Sequence, residues 1–201
     1  MKHNAPTYDR LARHYDGFMA PLERRFLSRL RSQTLQNLSE GSVVLEIGAG
    51  TGLNAAYYPD RASGVASELS CKMLEIARTK IWPEGIDFVQ CDAESLPFAD
   101  NAFDSAFATL VFCSIPSPQK AFTEIRRVVK PGGTVALLEH VRPANVLGPL
   151  FDLANLLTVP LFEDHFNRRT ADEARQAGLE IAGLSSHALG IVQSIVCRVP
   201  G

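Results

Sequence analysis

The chain has 201 residues, 46% of them hydrophobic, with 20 basic against 22 acidic side chains and a formal net charge of -2. That much apolar residue can bury one sizeable core without disulfides or metals, and the lack of a basic excess argues against a nucleic-acid partner held by bulk electrostatics. Cys71, Cys91, Cys113 and Cys197 lie far apart with no C-x-x-C pair, the pattern of reduced cytosolic thiols rather than a zinc site or a disulfide framework. No signal peptide opens the chain and no run approaches the roughly 20 apolar residues of a membrane helix. A soluble cytoplasmic protein without metal is therefore expected, with contact at a membrane surface left open.

Residues 8–38 carry Leu22, Phe26, Leu27 and Leu30 at helical spacing, and Gly17 and Pro21 interrupt them, which predicts two short helices before the first strand. The run 43–53, VVLEIGAGTGL, is an apolar strand ending in an acid and three glycines. A first crossover helix is predicted over 52–58, a second strand over 62–67 followed by Glu68, and a helix over 70–80 with Ser70 as N-cap. A third strand over 86–91 ends in Asp92, and a fourth covers 103–110. A helix over 119–129 and a tight turn at Pro131-Gly132-Gly133 lead into a fifth strand over 134–138. Another helix begins near Thr170, and 181–186 and 192–199 read as two strands joined near Gly190. Right-handed crossovers make this alternation an α/β fold, a parallel sheet with helices on both faces.

The glycine spacing narrows the ligand. A dinucleotide fingerprint counted from Gly48 and Gly50 needs a third glycine where Leu53 stands, and no Gly-Lys-Ser/Thr follows to make a phosphate loop. Glu46 suits a cationic ligand better than a pyrophosphate. Glu68, about 20 residues past the glycines, stands where an acid accepts both ribose hydroxyls. Glu46, Glu68 and Asp92 thus terminate three successive strands; each alone reads as an ordinary loop acid, and the three in order beside glycines favour a ligand.

The pattern E-x-G-x-G-x-G over Glu46, Gly48, Gly50 and Gly52 resembles motif I of the Rossmann-like, class I S-adenosylmethionine-dependent methyltransferases. The resemblance implies a three-layer sandwich with a seven-stranded, mostly parallel sheet whose last strand is antiparallel, behind an N-terminal helical extension. It implies S-adenosylmethionine as methyl donor and S-adenosylhomocysteine as product. Asp92 would receive the adenine amino group, the Ala93 amide would donate to the ring, and Leu110 and Tyr15 would complete the cofactor set, with Tyr8 and Tyr15 folding over it as a lid or merely packing the first helix. DAESLPFADNAFDSAF and VVKPGGTVALLEHV are similar to the quinone-biosynthesis methyltransferase group. TLVFCSI, LLEHV and FNRRTADEARQAGL together look like the methyltransferase-like family of thiol S-methyltransferases, without the membrane-anchoring N-terminus of its mammalian members.

One methyltransferase domain over 1–201 is expected, with N-terminal helices (1–40), a cofactor-binding core (41–140), an acceptor lid (141–169) and a last helix and strands (170–201). In-line transfer needs no covalent enzyme intermediate, so a dry pocket that aligns the reactants is the chief requirement. Val111, Phe112, Cys113 and Ser114 after the fourth strand, and Glu139 and His140 after the fifth, form the expected acceptor wall, with His165 as a head-group ligand. His140 is placed for proton transfer, or for fixing the loop by a hydrogen bond. The Leu- and Phe-rich stretch 143–169 reads as a lid, and 146–162 as a peripheral membrane contact. The expected acceptor is a small, largely apolar molecule or lipid, a thiol first, with a quinone ring carbon or a phospholipid amine as alternatives. Outside enzymes, a cofactor-binding regulatory module fits the same motif.

Overall fold

The computed structural model describes residues 5–143, 148, 149, 151–153, 165 and 167–201. Seven strands, β1 (Val43–Ile47), β2 (Ser63–Glu68), β3 (Ile86–Gln90), β4 (Phe103–Thr109), β5 (Val129–His140), β6 (Glu180–His187) and β7 (Val192–Arg198), form one sheet in the order β3-β2-β1-β4-β5-β7-β6. Strands β1 to β5 pair in parallel, and β7 runs antiparallel to both β5 and β6. The strand order reverses between β1 and β4, which opens a crevice at their carboxyl ends.

Both faces are covered, and the central strands are correspondingly apolar on both sides. In β1, Val44 packs toward the face that holds Leu35, Leu38 and Phe107, while Leu45 and Ile47 pack toward the face that holds Phe122 and Ile125. The second face is closed by α4 (Pro118–Val128), whose Ala121, Phe122, Ile125 and Val128 are buried at helical spacing, and by α5 (Thr170–Gln176). The helix α3 (Cys71–Ala77) starts where expected, the Ser70 hydroxyl accepting from the Met73 N–H.

Three elements differ from the expectation. The N-terminal region is one nearly continuous helical run, α1 (Ala5–Leu22), a π-turn (Glu23–Leu27) and α2 (Ser28–Leu35), in place of two helices broken at Gly17 and Pro21. A proline ring crowds the carbonyl four residues earlier, here that of Gly17, and the wider turn just after Pro21 absorbs the misfit. The first crossover contains only turns and a 3-10 turn (Ala55–Tyr57), because Gly50 and Gly52 hold left-handed φ angles of 57° and 82° where a helix would start. The Pro131-Gly132-Gly133 turn becomes a bulge inside β5, the ladder with β4 jumping from Phe103↔Val129 to Ser105↔Thr134. Of the expected lid, 144–147, 150, 154–164 and 166 lie outside the described residues, as does most of 146–162. No described helix is long and apolar enough to cross a membrane.

Candidate active site

The glycine loop is bare backbone where neighbouring elements converge. Gly48, Gly50 and Gly52 all have positive φ. A Cβ on Gly48 would stand 2.6 Å from both methyls of Val111, and one on Gly52 would stand 2.7 Å from the Trp82 ring. At Gly50 a Cβ would meet nothing within 4 Å, so its face is open to the crevice. The crevice encloses about 930 Å³ counted out to open solvent.

Glu68 and Asp92 line this cleft, as do Ala93, Leu110, Val111, Ser114, Tyr8 and Tyr15. The Glu68 carboxylate accepts from the Gly50 N–H at 2.9 Å and the Ser70 N–H at 2.9 Å, which couples the glycine loop to the end of β2. Burial raises its pKa, and those N–H donors act in the opposite direction. Asp92 accepts from the Glu94 N–H at 2.9 Å in a short turn after β3. Cys91 is a wall residue whose thiol burial pushes up to about 11, the state of a hydrophobe rather than a nucleophile. Burial raises the Tyr15 phenol well above its usual value, so it is a neutral hydroxyl beside the cavity.

Glu46 does not line the cleft, contrary to the expected row of three cofactor acids. Alternation along β1 turns it to the face of Val44, where it is 0% exposed and accepts from the Asn54 amide and the Tyr58 hydroxyl, each at 2.6 Å. Desolvation pushes its pKa up to about 7. Its role is to hold the residues after the glycine loop against the strand before it.

Arg31 was missed by the sequence reading. It sits in α2, is 3% exposed and lines the cleft. Its guanidinium donates to Glu23 at 2.9 Å, to Asn54 Oδ1 at 2.8 Å, and to Thr109 Oγ1 at the end of β4. The available signal was its spacing: Leu27, Arg31 and Leu35 are four residues apart, which puts a cation on the buried stripe of the helix. The α1 helix is fastened over the same cleft by two aspartates. Asp9 accepts from Ser70 Oγ at 2.5 Å, and Asp16 accepts from Thr51 Oγ1 at 2.5 Å and pairs with Lys80 at 2.7 Å.

The acceptor wall is only partly as expected. Leu110 adopts a left-handed φ of 59° and turns the chain at the end of β4. Both oxygens of the fully buried Glu139 then lie 3.1 Å from the Val111 N–H, and Oε2 accepts from the Phe112 N–H at 3.2 Å. Phe112 and Cys113 are both buried and outside the cleft lining; the turn swings Phe112 into the core, where it stacks on Phe122 with centroids 4.1 Å apart. His140 and His165 do not line the cleft either. Alternation along β5 puts His140 on the α2 side of the sheet with Leu138, and His165 donates its backbone N–H to the Cys113 carbonyl at 2.9 Å, behind the turn. Among the described residues no group of three His, Cys, Asp or Glu is placed to hold a metal.

A seven-stranded α/β sheet with a glycine loop and two further strand-end acids around its central crevice defines a Rossmann-like cofactor-binding fold. Residues 45–137 match the family model of a methyltransferase domain. The chain is 30% identical over 172 residues to the ubiquinone/menaquinone biosynthesis C-methyltransferase of Hahella chejuensis, covering 79% of this chain and 68% of that protein. It is 35% identical over 116 residues to a phosphatidylethanolamine N-methyltransferase of Cereibacter sphaeroides, covering 56% of each. A solved S-adenosylmethionine-dependent methyltransferase of Thermotoga maritima shares the fold, with a TM-score of 0.73 at 24% identity over 98% of this chain and 100% of that one. The chain belongs to the class I S-adenosylmethionine-dependent methyltransferases; it is an enzyme of that family, and its methyl donor is S-adenosylmethionine. It spans between 55% and 68% of the length of the quinone methyltransferases it matches.

Proposed function

We propose that the chain transfers a methyl group to a small, largely apolar acceptor, with a quinone ring carbon as the first reading. The observation that carries it is the mouth of the cleft beside the glycine loop, where Leu110, Val111, Ile115 and Pro116 form an apolar wall. The names of the relatives support a ring carbon or, as a second reading, the amine of phosphatidylethanolamine. The thiol acceptor suggested by the later segments finds no support among those relatives.

The cofactor supplies an electrophilic methyl on a sulfonium, whose charge disappears as the methyl leaves. The residues present fit it: two carboxylates for an adenosine, bare glycine backbone for close approach, and no phosphate loop. In this reading Glu68 accepts the ribose hydroxyls, Asp92 and the Ala93 N–H hold the adenine, and Arg31 meets the methionyl carboxylate. Tyr8 and Tyr15 exclude water from above, which strengthens every polar contact beneath them. In this reading the chain functions as one domain.

A methyl-transfer screen with radiolabelled S-adenosylmethionine against reduced quinones, phosphatidylethanolamine vesicles and small thiols tests the acceptor. Transfer to quinones above the other two classes supports the first reading, and preference for the vesicles supports the second. Binding of S-adenosylmethionine with no transfer to any of them points to the regulatory module instead.

A further inference from the structure

We propose that a polar slot at the edge of the sheet opposite the glycine loop binds a small oxyanion, a phosphate or sulfate group. At the amino-terminal ends of β1, β4 and β5 the register pairs Val44 with Ser105, Ser105 with Thr134, and Thr134 with Arg198. Residues paired across a sheet project to one face. Two hydroxyls and a guanidinium therefore stand in a row on the α2 side, in a slot of about 360 Å³ counted out to open solvent. The loop after α2, through Ser42, and the bulge at Gly132 and Gly133 form its rims.

Three observations give the slot its chemistry. Ser105 is 3% exposed, and its Oγ has no hydrogen-bond partner among the described residues. A buried hydroxyl with no partner in a central strand is a standing cost unless something in the slot meets it. Thr134 Oγ1 accepts from Arg198 at 2.6 Å and so keeps its own proton to donate. Arg198 makes its hydrogen bonds, among the described residues, to two neutral groups, that hydroxyl and the Gly132 carbonyl at 3.3 Å.

The acid on the rim does not cancel this cation. Asp104 is already engaged by Lys130 Nζ at 2.6 Å and by the Val43 N–H at 2.8 Å. What remains is one positive charge with spare guanidinium donors beside two hydroxyls, a donor set that suits an oxyanion. Arg198 is exposed, so the slot is open to an ion from solvent, and an oxyanion can bridge its guanidinium to the two hydroxyls.

Calorimetric titration and thermal unfolding with inorganic phosphate, ionic strength held constant with chloride, test the site on the whole chain. The expected result is saturable binding in about the millimolar range with a matching rise in Tm. Ser105→Ala weakens it by about fivefold or more, and Arg198→Gln removes it. S-adenosylmethionine affinity is unchanged in both variants, which shows that they fold and separates this site from the cofactor site. No response beyond that to chloride, or a phosphate response unchanged in either variant, overturns the proposal. A parallel titration with glycerol 3-phosphate assigns the source: tighter binding than phosphate points to an organic phosphomonoester, and weaker binding to the free ion.

Discussion

The buried carboxylate of Glu46 accepts a hydrogen bond from the side-chain amide of Asn54 at 2.6 Å, tying the strand before the glycine loop to the turn after it. Because Asn54 Oδ1 also accepts from Arg31 and its amide reaches Thr109, this one side chain gathers β1, α2 and β4 beneath the cleft. The cofactor floor is therefore a polar network inside the core, and its energetics are those of buried charge.

Glu46 has a folded-state pKa of about 7 against an ordinary 4.5, so the native state holds the proton more tightly than the unfolded chain. The sign follows from linkage: its contribution to stability is fully present below about pH 4.5 and is lost as pH rises through about 7. Thermal unfolding of the wild type is expected to weaken across that window by about 1–3 kcal/mol. Glu46→Gln, which cannot ionise, should flatten the window. An unchanged slope in that variant would assign the pH dependence to Glu68 and Glu173, whose pKa values are also raised.

Glu68→Ala is expected to raise the Kd for S-adenosylmethionine by about tenfold or more, since charge-assisted hydrogen bonds are worth about 1.5–3 kcal/mol each. The same change frees the Gly50 and Ser70 N–H groups. Glu68→Gln, which keeps an acceptor oxygen, should recover part of the affinity. Titration calorimetry on the three proteins reads the result, and equal Kd values would refute the ribose role.

Much of this arrangement was legible in the sequence because it rests on local rules. Strands β1, β2 and β3 each run up to a glycine or an acid, and Ser70 marks a helix start. Gly48, Gly50 and Gly52 announce a loop that only left-handed backbone can make. What escaped depended on which way a side chain faces at the end of its strand or in the turn after it. Glu46 and Phe112 stand in the expected segments, yet one points to the α2 face and the other onto Phe122. Strand alternation carries Glu46 to the face of Val44, and the left-handed turn at Leu110 swings Phe112 inward, and neither is encoded in the motif spacing. Arg31 escaped for a related reason. Its helix precedes the glycine motif, and only the fold brings it to Thr109, 78 residues away.

Phe112→Ala should act on stability rather than on acceptor choice. The ring is fully buried and stacked on Phe122, so its loss is expected to cost about 3–5 kcal/mol. Denaturant unfolding measures this, and the relative rates with quinone, amine and thiol acceptors should stay in the same order. A changed order with little loss of stability would restore Phe112 to the acceptor wall.

His140→Ala is expected to keep methyl transfer within about twofold of the wild type, because its ring is not among the groups that line the cleft. A rate depressed by the roughly 100-fold or more typical of a lost general base would return the residue to proton transfer. The pH–rate profile gives an independent reading: if His140 takes the proton, the wild type should show a limb that the variant lacks.

Arg31 serves both the fold and the cleft, so its removal acts on both. Arg31→Met leaves Glu23 facing the interior without its guanidinium partner, and breaking a buried pair from one side costs about 3–5 kcal/mol. The Glu23 carboxylate is 15% exposed, so the lower end of that range is expected. The double variant Arg31→Met with Glu23→Gln should be more stable than the single one, since the uncompensated charge is gone. Affinity for S-adenosylmethionine separates the two roles. If Arg31 meets the methionyl carboxylate, the double variant regains stability but not affinity, whereas recovery of both would make Arg31 a brace between α2 and β4 alone.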